Sequence, residues 1–223
     1  MKRTAAVFLV LFMLMTCAAA LAEDPALNAA RALVGDAPKL IEQETEHGYV
    51  TFDFREGSMR YEVICKDGVA LEMEITDESV YLGDLVLTQA EAEAKLTEQR
   101  PGAVIHCTRT EREDARTCWK LFYILAGDAC MAELDGSTGN LREETRLLGV
   151  VGQIKGAEEI LAALATAYPN STVQEINLEL DEDRGLTVYD GEAQVSASQG
   201  TKGESYDFKV NAITGEILEW KRD

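Results

Sequence analysis

The sequence predicts an α+β fold in which short capped helices are each followed by a run of antiparallel strands. Three observations carry this. Helix starts recur at Asp24, Thr88 and near Lys155. The segments that follow alternate apolar and polar side chains with a period of two, the pattern of strands with one buried face. A turn of the form Asp/Asn-x-x-Thr-Gly occurs twice, at Asp135 to Gly139 and at Asn211 to Gly215.

The first helix opens at Asp24, whose side-chain oxygen can accept orphan backbone N–H groups. Pro25 suits the first helical position because it has no N–H to satisfy. Gly35 and Pro38 end it. His47 lies in the polar segment Glu44–Gly48, at a strand start or in a loop. Val50, Phe52 and Phe54 share one face of a strand. Met59, Tyr61, Val63 and Cys65 share a face of the next, and Val69, Leu71, Met73 and Ile75 a face of the third. Turns at Glu56-Gly57 and Lys66-Asp67-Gly68 make these a meander, with Phe52 expected opposite Tyr61 and Val63 opposite Leu71.

The second helix runs from Leu87 to about Leu96, with Thr88 and Glu91 at capping-box spacing. Pro101-Gly102 closes that segment, and strands are expected near 103–110, 117–126 and 129–135. The third helix lies between Lys155 and Tyr168, where Ile160, Leu164 and Tyr168 form an apolar stripe; Pro169-Asn170 stops it. Strands are expected near 172–180, 186–195, 205–210 and 216–220. The chain thus divides into units at 23–80, 81–150 and 151–223.

The N-terminus reads as a signal peptide over 1–22. Lys2 and Arg3 precede an apolar stretch, Ala5 to Met15, too short to span a bilayer. Ala20-Leu21-Ala22 is a small-x-small site for cleavage between Ala22 and Glu23. A lipoprotein reading competes, because Leu14-Met-Thr-Cys17 is similar to a lipobox. The chain has 223 residues, is 46% hydrophobic and carries a formal net charge of -19. That surface repels nucleic acid and anionic membranes and favours basic partners.

Four cysteines follow Cys17, namely Cys65, Cys107, Cys118 and Cys130. If Glu111 to Asp114 form the hairpin loop, Thr110 faces Ala115 and Cys107 faces Cys118, the geometry of a disulfide. Cys65 and Cys130 lie in apolar-patterned strands, either as buried thiols or bridged to each other. There is no Cys-x-x-Cys, and neither His47 nor His106 has a second histidine at helical spacing, so no zinc or redox motif arises. His106 is expected to face Trp119. A Cys–His pair at His106 and Cys107 is disfavoured, since adjacent strand residues point to opposite faces. Asp181-Glu-Asp-Arg-Gly185 lacks the ligand spacing of a calcium loop and reads as a charged hairpin turn. No catalytic, cofactor-binding or metal-binding residue emerges.

The closing hairpin is the most specific stretch. Tyr206, Phe208 and Val210 lead into Asn211, Thr214 and Gly215, then Ile217 and Trp220. This resembles the end of a PepSY domain, whose pattern is aromatic-x-aromatic-x-Val-Asp/Asn-x-x-Thr-Gly-x-Ile/Leu. The resemblance covers about 154–223. A second, fainter copy covers about 88–145, with Asp135, Thr138 and Gly139 at the matching turn; the first unit lacks the Thr-Gly turn. The resemblance implies tandem PepSY-like units, each with one helix packed on a three- to four-stranded antiparallel sheet. It implies a non-catalytic module of secreted and cell-surface bacterial proteins, related to the propeptides of thermolysin-type metallopeptidases. The partner it implies is a secreted or envelope peptidase, restrained by a sheet edge or hairpin in its cleft. Trp220 is a candidate contact, since interface cores favour Trp. The competing reading is an envelope scaffold, or a binder of small ligands or cationic peptides.

Overall fold

The computed structural model describes residues 24–113, 116–150, 152–195 and 204–222. The signal-cleavage position at Ala22 and Glu23, and Cys17, lie outside the described residues. Helix α1 (Pro25–Val34) begins as expected, with Asp24 accepting from the Ala26 N–H and Pro25 in the first turn; Gly35 ends it at φ 82. It is followed by β1 (Lys39–Glu46), β2 (Tyr49–Glu56), β3 (Met59–Lys66) and β4 (Val69–Asp77). Helix α2 (Gln89–Gln99) has both halves of the Thr88–Glu91 capping box. Behind it come β5 (Val104–Glu113), β6 (Arg116–Leu125), β7 (Asp128–Asp135) and β8 (Leu141–Leu147). Helix α3 (Ala157–Ala167) precedes β9 (Ser171–Val173), β10 (Asn177–Asp181), β11 (Leu186–Val195), β12 (Glu204–Asn211) and β13 (Ile217–Arg222).

The strands form two antiparallel sheets. The first is eight-stranded in the order β1-β2-β3-β4-β8-β7-β6-β5; the second runs β10-β11-β12-β13, with β9 also paired to β11. This corrects the expectation of one separate sheet per helix. The first two meanders fuse through β4 and β8, so α1 and α2 lie on one continuous sheet. Met73, Arg146, Cys130 and Tyr123 are cross-strand neighbours and define its helix-covered face. There α1 buries Ala26 and Ala30 against Phe52, Phe54, Val63 and Cys65. On the same face α2 buries Ala92 and Leu96 against Trp119, Leu121 and Tyr123.

The opposite face carries Phe122, Met131 and Leu147, which join α3 and the second sheet in one core with Ile160, Leu164, Leu178, Tyr189, Phe208 and Val210. Each large apolar side chain buried there contributes roughly 1.5–3 kcal/mol. Strand β10 lies against β4, β7 and β8.

Three register expectations are corrected. The β2–β3 turn is the tight pair Gly57-Ser58, so Glu56 faces Met59, Phe52 faces Val63 and Phe54 faces Tyr61. A bulge at Leu71 then places Val63 opposite Met73 rather than Leu71. In the β5–β6 hairpin the strands continue past Glu111 to pair Glu113 with Arg116, which shifts the pairing by four residues, and a bulge at His106 follows beyond Cys107. Cys107 faces Phe122, Cys118 faces Glu111 and Thr110 faces Trp119. Three further elements differ, the first being β8, where no strand was expected after the turn at Asp135 to Gly139. β1 was not foreseen, because all but one of its residues are exposed and carry no alternation. The strand expected over 172–180 is broken at 174–176, where the chain crosses over Gly191.

Candidate functional site

Two turns, one in each of the last two helix-and-strand segments, are built alike. In the first, Asp135 Oδ1 accepts from the Thr138 N–H and the Thr138 and Ser137 hydroxyls, each at 2.7 Å. The Gly139 N–H donates to Asp135 O at 2.8 Å, and the Asn140 N–H to Thr138 Oγ1 at 3.2 Å. In the second, Asn211 Oδ1 accepts from the Ile213 and Thr214 N–H groups at 2.9 Å. The Gly215 N–H donates to Asn211 O at 2.8 Å, and the Glu216 N–H to Thr214 Oγ1 at 3.2 Å. Gly139 and Gly215 sit at φ 73 and 77, the left-handed region where a Cβ is strained.

Each turn also ties down the start of the preceding helix. The Leu87 N–H donates to Gly136 O at 2.9 Å and the Lys155 N–H to Ala212 O at 2.7 Å. Leu87 and Lys155 each precede an N-cap, Thr88 and Gly156. Asp135 Oδ2 additionally accepts from Gly83. Burial raises the Asp135 pKa, but the bonds from Ser137, Thr138 and Gly83 outweigh it and bring it down to about 2. The turn residues are therefore structural clasps, with their polar atoms already engaged.

The surface that gathers the most carboxylates is the cleft where β10 crosses the first sheet. It encloses about 310 Å³ and is lined by Glu72, Glu74, Glu133, Glu143, Glu175 and Glu179 among others, against the cations Arg112 and Lys120. Two glutamates reach up to the backbone of the second sheet. Glu72 accepts from the Leu180 N–H at 2.6 Å, and Glu111 from the Ile176 N–H at 3.0 Å. Glu111 is paired with Lys120 at 2.7 Å, and Lys120 donates to Asn177 Oδ1 at 2.7 Å. Burial pushes Glu72 up to about 8, against the Leu180 hydrogen bond. Burial, reinforced by Glu74 and Glu133, pushes Glu143 up to about 7. Packing carboxylates beside one another at reduced solvation disfavours their charged forms. A cationic group entering the cleft would reverse that penalty.

Trp220 lies on β13, half-buried, stacked on Tyr168 with ring centroids 3.6 Å apart, and beside Tyr206 at 5.5 Å. One ring face is thus covered within the chain. Cys107 and Cys118 form no disulfide. Four residues of strand separate their positions across the hairpin, roughly 13 Å at strand rise, well beyond disulfide reach. Cys65 and Cys130 are buried thiols, pushed up by burial to about 11 and about 12, which makes them inert at neutral pH. His106 is an exposed bulge residue, while Cys107 beside it is buried. His47 sits in the β1–β2 turn, 3.1 Å from Asp183. The 181–185 segment is a charged turn, with Asp181 held by Arg184 at 2.7 Å and Lys209 at 3.0 Å.

Sequence reasoning passed over Glu72, Glu111 and Glu143 as ordinary strand acids. Their only signal was an acid at apolar-strand spacing, which marks an unusual face but not which element covers it. It also missed Glu144, buried beneath α2 and bound by Arg100 and Tyr123.

Residues 155–221 match the family model described as Peptidase propeptide and YPEB domain, or PepSY. Among solved structures, the Bacillus megaterium YpeB C-terminal domain aligns over 91% of this chain and 97% of its own, with 13% identity and a TM-score of 0.35. A cysteine-rich secretory protein from Staphylococcus aureus subsp. aureus Mu50 aligns over 66% of this chain and 57% of its own, with 12% identity and a TM-score of 0.32. No curated protein sequence matches the chain.

Proposed function

We propose, from the match of residues 155–221 to the PepSY family model, that the protein is an exported, non-enzymatic binding protein that restrains a secreted or envelope peptidase. In this reading residues 1–22 are the signal peptide. Residues 23–80, 81–150 and 151–223 are three helix-plus-meander units, of which the second is a PepSY-like copy and the first a diverged one. The repeated clasp, turn to helix start, supports the kinship of the second and third units. Restraint is steric, with no cofactor or metal required.

The observation that carries the choice of surface is the cleft beneath β10, where glutamates outnumber cations and two of them are held near neutral pKa. Such a surface receives a lysine- or arginine-bearing segment of its partner, since each cation relieves like-charge repulsion. The same observation favours a second reading, a binder of cationic peptides in the envelope that meets no peptidase.

A pull-down of the protein from the secreted and envelope fraction of its host, with mass spectrometry and an activity assay on any peptidase recovered, separates the two. Recovery of a peptidase whose activity falls as the protein is added supports restraint. Binding of an oligolysine probe with no peptidase enriched and no change in secreted proteolysis supports the second reading and removes the first.

A further inference from the structure

Five strands lie at the borders of the two sheets, β1 and β5 in the first and β9, β10 and β13 in the second. β1 presents Glu42, Glu44 and Glu46, all exposed, so a strand of its own kind added there would meet like charge. Arg109, itself on β5, donates to Val173 O of β9 at 2.8 Å and so ties those two border strands together, and α3 packs beside β5. The β10 edge gives its Leu180 N–H to Glu72. The outer edge of β13 pairs with no strand among the described residues.

The chain already contains the junction that such an edge would make. β4 and β8 are the last strands of the first two meanders. They pair antiparallel from Glu72–Leu147 to Thr76–Glu143, about a centre at Glu74 and Thr145. β13 is likewise the last strand of the third meander, and its outer edge pairs with no described strand. We propose that β13 is a self-association edge, along which two copies of this chain pair antiparallel around Trp220.

Symmetry and charge select the register. A two-fold axis perpendicular to the sheet sets one residue opposite itself, because neighbours in a strand point to opposite faces. Centring on Glu219 or on Lys221 sets like charges face to face, which is destabilising. Centring on Trp220 sets Glu219 across from Lys221 twice, within the regular part of β13 that follows the bulge at Leu218. Glu219, Trp220 and Lys221 therefore form a self-complementary triplet. With 6 residues of edge, the contact falls short of the ~1,600 Å² of a standard stable interface, so the dimer is weak and depends on concentration.

Sedimentation velocity of the purified protein, from about 1 µM to about 1 mM where weak interfaces equilibrate, tests this. The expected result is a mass that rises towards the dimer with concentration. E219K and K221E each set like charges across the edge and are expected to weaken association about ten-fold or more, the equivalent of about 1.4 kcal/mol. The double variant E219K/K221E restores the pairing and is expected to recover it. Glu219 also lies 3.4 Å from Arg184, so thermal melts establish that each variant is folded; Lys221 is exposed, and K221E carries the test if E219K does not fold. A protein that stays monomeric throughout overturns the proposal. So does association that is unchanged in the single variants, or that fails to return in the double one.

Discussion

The Tyr189 hydroxyl donates to the carbonyl of Lys155 at 2.9 Å, immediately before the α3 N-cap. The Trp119 indole N–H makes the corresponding bond to the carbonyl of Leu87, at 3.2 Å, before the α2 N-cap. Trp119 faces Leu134 and Tyr189 faces Val210, each one residue ahead of a clasp turn. The two segments thus share a helix start held twice, once by the turn backbone and once by an aromatic donor from the neighbouring strand. Tyr189→Phe keeps the ring in the core and removes only the donor. We expect a loss of about 1 kcal/mol in urea unfolding, the usual net worth of one such bond. An unchanged midpoint would show that this tether adds nothing to stability.

The clasp turns differ in their first three residues, and the first, Asp135 against Asn211, also differs in how many donors it serves. Asp135→Ala leaves the Thr138 N–H, two hydroxyls and the Gly83 N–H without their acceptor. A charge-assisted cluster of this kind predicts a cost of about 2–4 kcal/mol. Asp135→Asn retains an acceptor oxygen, as Asn211 does in the second turn, and should cost less than half as much. Equal losses in the two variants, measured by chemical denaturation, would refute the view that the oxygen is what matters.

Much of this scaffold was legible because its signals are local. Asp24, Pro25, Thr88 and Glu91 mark helix starts through capping chemistry that needs no tertiary partner, and all four act as expected. The turns at Asp135 and Asn211 were legible for the same reason. What failed was whatever depends on a count along two strands at once. The bulge at Leu71 adds one residue and leaves no mark in composition. The β5–β6 strands pair on to Glu113 and Arg116, past the expected loop, so Cys107 lies four residues from the position opposite Cys118. The fusion of two meanders through β4 and β8 was equally silent, because a strand edge carries no sign of what will pair with it. The acidic cleft was hidden most deeply. Glu72 sits on β4 and meets Leu180 on β10, and only the tertiary fold brings that acid beneath that backbone.

Gly191 is the residue over which the 174–176 crossover passes. A Cβ there would lie 2.1 Å from Glu175 O, and its φ of 153 is one that side chains rarely adopt. The Gln174 and Glu192 N–H groups bond across this point, at 2.8 and 3.2 Å, so the crossover cannot lift without losing them. Gly191→Ala is expected to cost more than about 3 kcal/mol, in the range reserved for backbone clashes in a packed region. A thermal melt within a degree or two of the parent protein would rule out so close an approach.

The buried acids set how stability depends on pH. Burial raises Glu72 to about 8, and burial with neighbouring carboxylates raises Glu143 and Asp190 to about 7. A raised carboxyl binds its proton more tightly in the folded state. Its contribution is complete below the unfolded value near 4.5 and is lost as pH climbs through 7 to 8. Asp135 and Asp181, brought down to about 2, act the other way; their contribution holds above about 3.8 and fades as pH falls towards 2. Stability should therefore peak near pH 4 and decline as pH rises from about 5 to 8. Glu72→Gln isolates the largest part of that decline. The amide oxygen can still accept from Leu180, but there is no longer a charge to form. The variant should match the parent near pH 5 and exceed it at pH 8 by up to about 4 kcal/mol. Urea unfolding of both proteins at the two pH values decides it. A variant no more stable than the parent at pH 8 would mean that Glu72 ionises in place at little cost, and that the cleft is better solvated than its geometry indicates.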